Sequence, residues 1–277
     1  MLLNILKLPL DYVNFPINTN RRMADWLAGP RTRRVKNWNR HVDDVEAIAA
    51  TPAFQSLRTE VLALTELRSG QRLLDVGAGT GLLALAAAPC VSSVTAVDVS
   101  AAMCERLRRN LRQLRLTNVD VRTASACSLP LADASVDVVV SSYCFHHLRD
   151  RDKRRALGEL ARVMRPGGRV VIADMMFHFG LTAPRDRAVV LGFASRMLRK
   201  GPRGALRLCK NALRIASGRG EHPADAEWWA AALKDAGFVE AQVRELAHEG
   251  GIAVALTAGA PRSGERSENS HRALTAA

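Results

Sequence analysis

The sequence predicts an α/β protein built on a parallel sheet with helices on both faces. Three observations carry this. Between residues 72 and 173, short apolar segments alternate with amphipathic ones. The short segments are near-continuously apolar, as strands buried on both faces are. The first of them runs straight into a glycine-rich turn that opens a helix.

From Val42 to Leu67 the spacing is helical. Asp43 and Asp44 stand where the positive end of a helix favours acids. Thr51-Pro52 marks a fresh helix start, and Ser69-Gly70 ends it. Arg72 to Val76 is the first strand, Leu82 to Ala88 a small-residue helix, and Val94 to Val97 a β-branched strand. Ala101 to Leu114 is a helix with a basic outer face, Val119 to Thr123 a third strand, and Val136 to Ser141 a fourth. Asp152 to Met164 is a helix stopped by Pro166-Gly167-Gly168, before a fifth strand over Arg169 to Ala173. Leu181 to Gly220 interrupts the alternation with two helices broken at Gly201-Pro202. The second carries Leu206, Cys209, Leu213 and Ala216 on one stripe, with Arg203, Arg207, Lys210 and Arg214 on the next. A helix over Ala226 to Asp235, a stop at Gly237 and two strands near Val239 to Leu246 and Ile252 to Leu256 close the chain. The organisation expected is a basic N-terminal arm over 1–41, a main domain over 42–260 with a helical cap at 178–225, and a polar, disordered tail over 261–277.

Composition narrows the class. The longest apolar runs, Leu82 to Pro89 and Val136 to Val140, fall far short of the ~20 residues a membrane span needs. A soluble protein, or one lying on a membrane surface, is expected. Met1 to Leu10 is apolar, but it contains Pro9, a single charge at Lys7 and no small-residue cleavage site, so it reads as part of the mature chain. The cysteines Cys90, Cys104, Cys127, Cys144 and Cys209 show no metal-ligand spacing. No metal is expected, and a reducing cytoplasm suits an odd count with no disulfide framework. The net charge of +13 is uneven: residues 1–41 carry net +6 and residues 180–220 net +9, leaving −2 for the rest. That asymmetry concerns partners rather than fold.

The chemistry-bearing motif is Leu73-Leu74-Asp75-Val76-Gly77-Ala78-Gly79-Thr80-Gly81. Glycines there let the backbone turn tightly and approach a ligand. Asp98 closes the second strand 17 residues after Gly81, where a carboxylate can accept from two ribose hydroxyls. A dinucleotide fingerprint, GxGxxG, would require glycine at position 82, which is Leu82. Asp75 also faces a cationic amino-acid group sensibly but would repel a pyrophosphate. An adenosyl-sulfonium ligand is therefore favoured, and an NAD(P)-dependent oxidoreductase is the alternative.

The stretch from Leu73 to Met176 resembles the class I S-adenosylmethionine-dependent methyltransferases, in style the small-molecule enzymes of quinone biosynthesis. The matching pieces are LLDVGAGTG (73–81), AVDVSAAM (96–103), SLPLADASVDVVVSSYCFHHL (128–148) and ELARVMRPGGRVVIADM (159–175), with DAGF (235–238) similar to the closing segment. The resemblance implies a Rossmann-like, doubly wound, seven-stranded sheet with an antiparallel last strand. It implies that Gly77, Ala78, Gly79 and Gly81 wrap the methionine part of S-adenosylmethionine and that Asp98 takes the ribose. Val99 and Met103 would lie near the adenine, beside Ser125, Ala126 and Cys127. Relatives place an Asp where this chain has Ser125, so that contact would be uncharged. Ser141 and Ser142 end the fourth strand beside the expected sulfonium site.

A sulfonium methyl is already electrophilic, so the protein must mainly align the reactants. A base helps only where the acceptor must lose a proton. Candidates are His146 and His147 after the fourth strand and His178 after the fifth, at the carboxyl edge where open α/β sheets bind ligands. Tyr143 is a pocket-wall candidate. Arsenic methylation is disfavoured, since Cys104 and Cys209 lie on predicted helices away from Cys144. The acceptor expected is an apolar small molecule, lipid or quinone-like compound methylated on O or C. A non-catalytic S-adenosylmethionine-binding protein is a further alternative. The basic segments suggest peripheral contact with anionic headgroups or steering of an acidic substrate. Nucleic acid is disfavoured: Ser142-Tyr143-Cys144-Phe145 stands where base-amino methylases resembling this family carry Asn/Asp-Pro-Pro-aromatic. The oligomeric state is not legible.

Overall fold

A computed structural model describes residues 37–179, 183–216, 220–246 and 249–259. The tail expected over 261–277 and most of the arm expected over 1–41, Met1 to Leu10 included, lie outside the described residues. A 3-10 turn over Trp38–Arg40 leads into α1 (Val42–Ala49) and α2 (Pro52–Thr65). The alternating body follows as β1 (Arg72–Val76), α3 (Ala84–Ala87), β2 (Ser93–Asp98), α4 (Ala101–Leu114), β3 (Val119–Thr123), β4 (Val136–Ser142), α5 (Asp150–Val163) and β5 (Met164–Met175). The cap helices are α6 (Pro184–Leu198) and α7 (Pro202–Ala216). The chain then closes with α8 (Ala226–Asp235), β6 (Phe238–Glu245) and β7 (Gly250–Thr257).

The seven strands form one sheet in the order β3-β2-β1-β4-β5-β7-β6. β1 to β5 are mutually parallel, and β7 runs antiparallel to both β5 and β6. The order reverses at β1 and β4, so their carboxyl ends form the switch-point crevice where such sheets take ligands. Apolar residues leave both faces of the sheet. Leu74, Val139 and Ile172 pack with Leu157 and Leu160 of α5 and Trp229 of α8. Leu73, Val138 and Val171 pack with Phe54 and Val61 of α2 and Leu107 of α4. At the central strands β1 and β4 neither face reaches water, which is why they read as continuous apolar runs.

Helix starts follow local chemistry. The Thr51 hydroxyl accepts from the Phe54 N–H ahead of Pro52, and the Ser100 hydroxyl accepts from the Met103 N–H. Several boundaries differ from expectation, two of them instructively. The helix expected over 82–88 shortens to Ala84–Ala87 and tightens into a 3-10 turn, Ala88–Cys90, carrying Pro89. α5 ends at Val163 because Met164 takes an extended conformation and pairs with Val136. The Pro166-Gly167-Gly168 stop therefore lies inside β5, where the register shifts before Val138 meets Arg169.

Candidate active site

The turn after β1 is held against the end of β2. The N–H groups of Gly77 and Ala78 both donate to the Val97 carbonyl, at 2.8 and 3.0 Å. Gly77 has φ +74°, and a Cβ there would lie 2.3 Å from the Cys144 sulfur, so this strand end closes only over glycine. Gly79 (φ +53°) donates its N–H to Asp98 Oδ2 at 2.9 Å, and Ser100 N–H donates to Asp98 Oδ1 at 2.8 Å. Each Asp98 oxygen keeps a lone pair for a further hydroxyl. Burial raises the Asp98 carboxyl above its ordinary value, against the pull of those two bonds.

Asp75 sits behind the turn, 1% exposed, and accepts the Ala84 N–H at 2.9 Å. Burial raises its carboxyl to about 7; the Ala84 bond opposes this and the nearby Asp98 charge adds to it. No ion pair reaches Asp75 among the described residues. A buried carboxyl without a cation and a ribose-ready Asp98 fit a ligand bearing an ammonium group and a ribose. The β2–β3 register, Asp98 opposite Thr123, brings Ser125, Ala126 and Cys127 beside the end of β2. The Ser125 hydroxyl accepts the Cys127 N–H at 3.2 Å, and the Cys127 thiol donates to the Asp152 carbonyl. Val99 is exposed there and Met103 is buried.

Ser141, expected at the sulfonium site, donates its hydroxyl to the Val76 carbonyl at 2.7 Å inside the sheet. The neighbouring Ser142 hydroxyl is buried and has no hydrogen-bond partner among the described residues. It is a polar atom at this strand end that a ligand could engage. Cys144, filling the space under Gly77, has its thiol pushed well above the ordinary value by burial, which makes it a poor nucleophile.

Past β4, the 3-10 turn Phe145–His147 carries the two histidines. His146 is 2% exposed, and its Nδ1 lies 2.5 Å from Asp174 Oδ1 near the end of β5. Its backbone N–H donates to the other oxygen of the same carboxylate at 2.9 Å. A carboxylate only accepts, so in a neutral imidazole paired with it Nδ1 would carry the proton and Nε2 would present a lone pair. The His147 ring centroid lies 3.8 Å from that of His146 and 4.4 Å from that of Trp38. Tyr143 lies between His146 (5.9 Å) and Phe54 (5.2 Å). His178 is separate: it pairs with Asp225, the residue that caps α8.

Two features invisible to local sequence complete the site. The first is a roof: a Cβ on Gly79 would meet Val45 of α1 at 3.5 Å. The roof is fastened to α4 by Arg106 bonds to Glu46 and Asp43, and by an Asn110 bond to Glu46. Asn39 accepts the Ser100 hydroxyl at 2.7 Å. The second is the segment leaving the cap. His222 N–H donates to the His146 carbonyl at 2.7 Å, and the buried Lys153 donates to the His222 carbonyl. This brings Glu221 to the histidines. One ligand atom each from His146, His147 and Glu221 lie within 4.8 Å of one another, close enough to hold a metal ion.

Residues 73–168 match the family described as a methyltransferase domain. An uncharacterized methyltransferase, YcgJ of Bacillus subtilis, is 35% identical over 46% of this chain and 47% of its own length. The 27-O-demethylrifamycin SV methyltransferase of Amycolatopsis mediterranei is 34% identical over 54% of this chain and 56% of its own length. In fold, a SAM-dependent methyltransferase from Aquifex aeolicus superimposes with a TM-score of 0.56 at 22% identity, covering 79% of this chain and 97% of that one. The match spans about half the length of the first curated relatives. Residues 73–168 thus belong to the methyltransferase-domain family. Over these residues the chain is a methyltransferase domain.

Asp98→Ala removes the expected ribose acceptor together with its bonds to Gly79 in the glycine turn and to Ser100 at the start of α4. Affinity for S-adenosylmethionine should fall by about 1.5–3 kcal/mol, the range for hydrogen bonds to a charged group. Calorimetric titration checks this, and unchanged affinity would displace the ribose from Asp98.

Proposed function

We propose that the chain transfers the methyl group of S-adenosylmethionine to a hydroxyl oxygen of an apolar small molecule held at the carboxyl edge of β4 and β5. The observation that carries the reading is the His146–Asp174 pair, a proton acceptor with an oriented imidazole placed where the fold presents its ligands. The rifamycin relative is named for methylation at an oxygen, which favours oxygen over carbon. The cofactor supplies an electrophilic methyl on sulfur. Within the chain, Gly77 to Gly81 and Asp98 hold that ligand, Asp75 faces its ammonium group, and Tyr143 and His147 wall the acceptor side. His146 Nε2 would take the proton of the acceptor hydroxyl, and Asp174 would steady the resulting imidazolium.

Parallel titration with S-adenosylmethionine, S-adenosylhomocysteine and NAD(P), followed by incubation of methyl-labelled cofactor with hydroxylated apolar acceptors, tests this. Binding of the two adenosyl ligands, and label on an acceptor oxygen with one S-adenosylhomocysteine released per methyl, is the expected result. Binding without transfer to any acceptor would make the chain a cofactor-binding protein only. Binding of NAD(P) alone would overturn the reading.

A further inference from the structure

Six of the nine exposed large hydrophobic side chains among the described residues lie between positions 179 and 215: Phe179, Leu191, Leu198, Leu206, Leu213 and Ile215. Leu191 and Leu198 are seven residues apart on α6, and Leu206 and Leu213 are seven apart on α7. Each pair therefore lies on one side of its helix. The exposure is large, 57% for Leu206 and 70% for Leu213. The same stretch, 180–220, holds ten Lys/Arg and one acid, and that acid, Asp186, is buried. The outward surface of the cap is thus apolar and cationic, with no exposed carboxylate among its described residues.

The cap is a built element. A Cβ on Gly204 would fall 1.8 Å from the Met197 carbonyl oxygen, so glycine lets α7 pack hard against the end of α6. Arg185 ties α6 to the body by donating to the carbonyls of Met176 (2.7 Å) and Gly250 (3.0 Å). The leucines stay outward although the helices are anchored.

We propose that the outer face of α6 and α7 docks on a bilayer surface rich in anionic lipid. The leucines enter the headgroup–acyl boundary, and Arg203, Lys210 and their neighbours lie at phosphate level. Charge selects this occupant. A second copy of the same face would oppose net +9 with net +9. A nucleic acid would engage the cations and leave the leucines in water. No helix among the described residues is long and apolar enough to cross a membrane, so the contact is interfacial. The segment leaving the cap borders His146 through His222. On the proposed methyl transfer, docking would therefore give an apolar acceptor a short path from lipid to site; the docking itself does not depend on that reading.

The test is flotation of the full chain with vesicles of phosphatidylcholine alone and of phosphatidylcholine mixed with phosphatidylglycerol, at low and high salt. Binding is expected to the mixed vesicles at low salt, with release at high salt. Arg203→Gln and Lys210→Gln should each weaken partitioning about fivefold. The double variant Leu206→Glu/Leu213→Glu should weaken it by about tenfold or more. All should keep helical circular dichroism and S-adenosylmethionine affinity. If the glutamate variant loses its fold, the glutamine variants decide. No binding to mixed vesicles, or partitioning unchanged in the folded variants, overturns the proposal. So does a concentration-dependent dimer in sedimentation that Leu213→Glu dissociates, which would assign the face to a second copy. A chain that floats but transfers no methyl keeps this proposal and loses only the catalytic one.

Discussion

Replacing His146 with alanine should slow methyl transfer by a factor of about 10²–10⁴, the usual contribution of a positioned base, while S-adenosylmethionine still binds near its parent affinity. The ring contacts Asp174, His147 and Tyr143, whereas Asp75 and Asp98, the groups proposed to meet the cofactor, are held by Ala84, Gly79 and Ser100. Asp174→Asn separates a base from a structural pin. The amide can donate as well as accept, so it no longer dictates which ring nitrogen carries the proton. Turnover should fall, and the pH dependence of kcat should change, with the melting temperature moving little. A merely structural pair would lose stability and cofactor affinity together. Glu221→Gln distinguishes a base from a metal ligand in the same cluster. On the base reading it stays near parent activity and a chelator has little effect; a cation held by His146, His147 and Glu221 would make it cost as much as His146→Ala. Full activity in a folded His146→Ala protein would remove the base altogether.

The body was legible because its signals are local. α4 spans Ala101–Leu114 and β3 spans Val119–Thr123, both as read, since a capping Ser100 marks the start of the helix and the alternation of Val119 and Val121 with Asp120 and Arg122 marks the strand. The site was legible only as far as sequence neighbours reach. Asp174 is 28 residues from His146 and meets it because β4 lies beside β5, with Ser142 opposite Ala173. No spacing along the chain announces that pairing. Ser141 and Ser142 look equivalent in sequence, but successive strand residues point to opposite faces. One hydroxyl is therefore taken up by Val76 and the other is left without a partner. The stripe on α7 was readable as amphipathic. Periodicity alone does not say whether Leu206 and Leu213 face a core or water, and in the structure both face outward.

Asp75→Asn should move stability and cofactor affinity in opposite directions. The Asp75 carboxyl is raised from an ordinary 3.8 to about 7, first by burial. Below the ordinary value the folded and unfolded chains both carry the proton and nothing is lost. Between the two values the unfolded chain ionises while the folded one stays neutral, so stability falls as pH rises. Above about 7 both are ionised and the loss is complete. A shift of this size corresponds to something on the order of 4 kcal/mol. Asparagine keeps an oxygen for the Ala84 N–H and has no charge to bury. The variant should therefore melt several degrees higher than the parent above neutral pH and show no gain in acid, as thermal melts across the range would read. Binding runs the other way. A ligand ammonium opposite Asp75 favours the carboxylate, so parent affinity for S-adenosylmethionine should tighten as pH rises through about 7, with release of a proton. The asparagine variant should bind about 1.5–3 kcal/mol more weakly, with a flat pH dependence. Calorimetry in two buffers of different ionisation heat measures affinity and proton release together. A variant that gains stability but loses no affinity would mean that Asp75 faces no cation, and the methionine end of the ligand would have to lie elsewhere along the glycine turn.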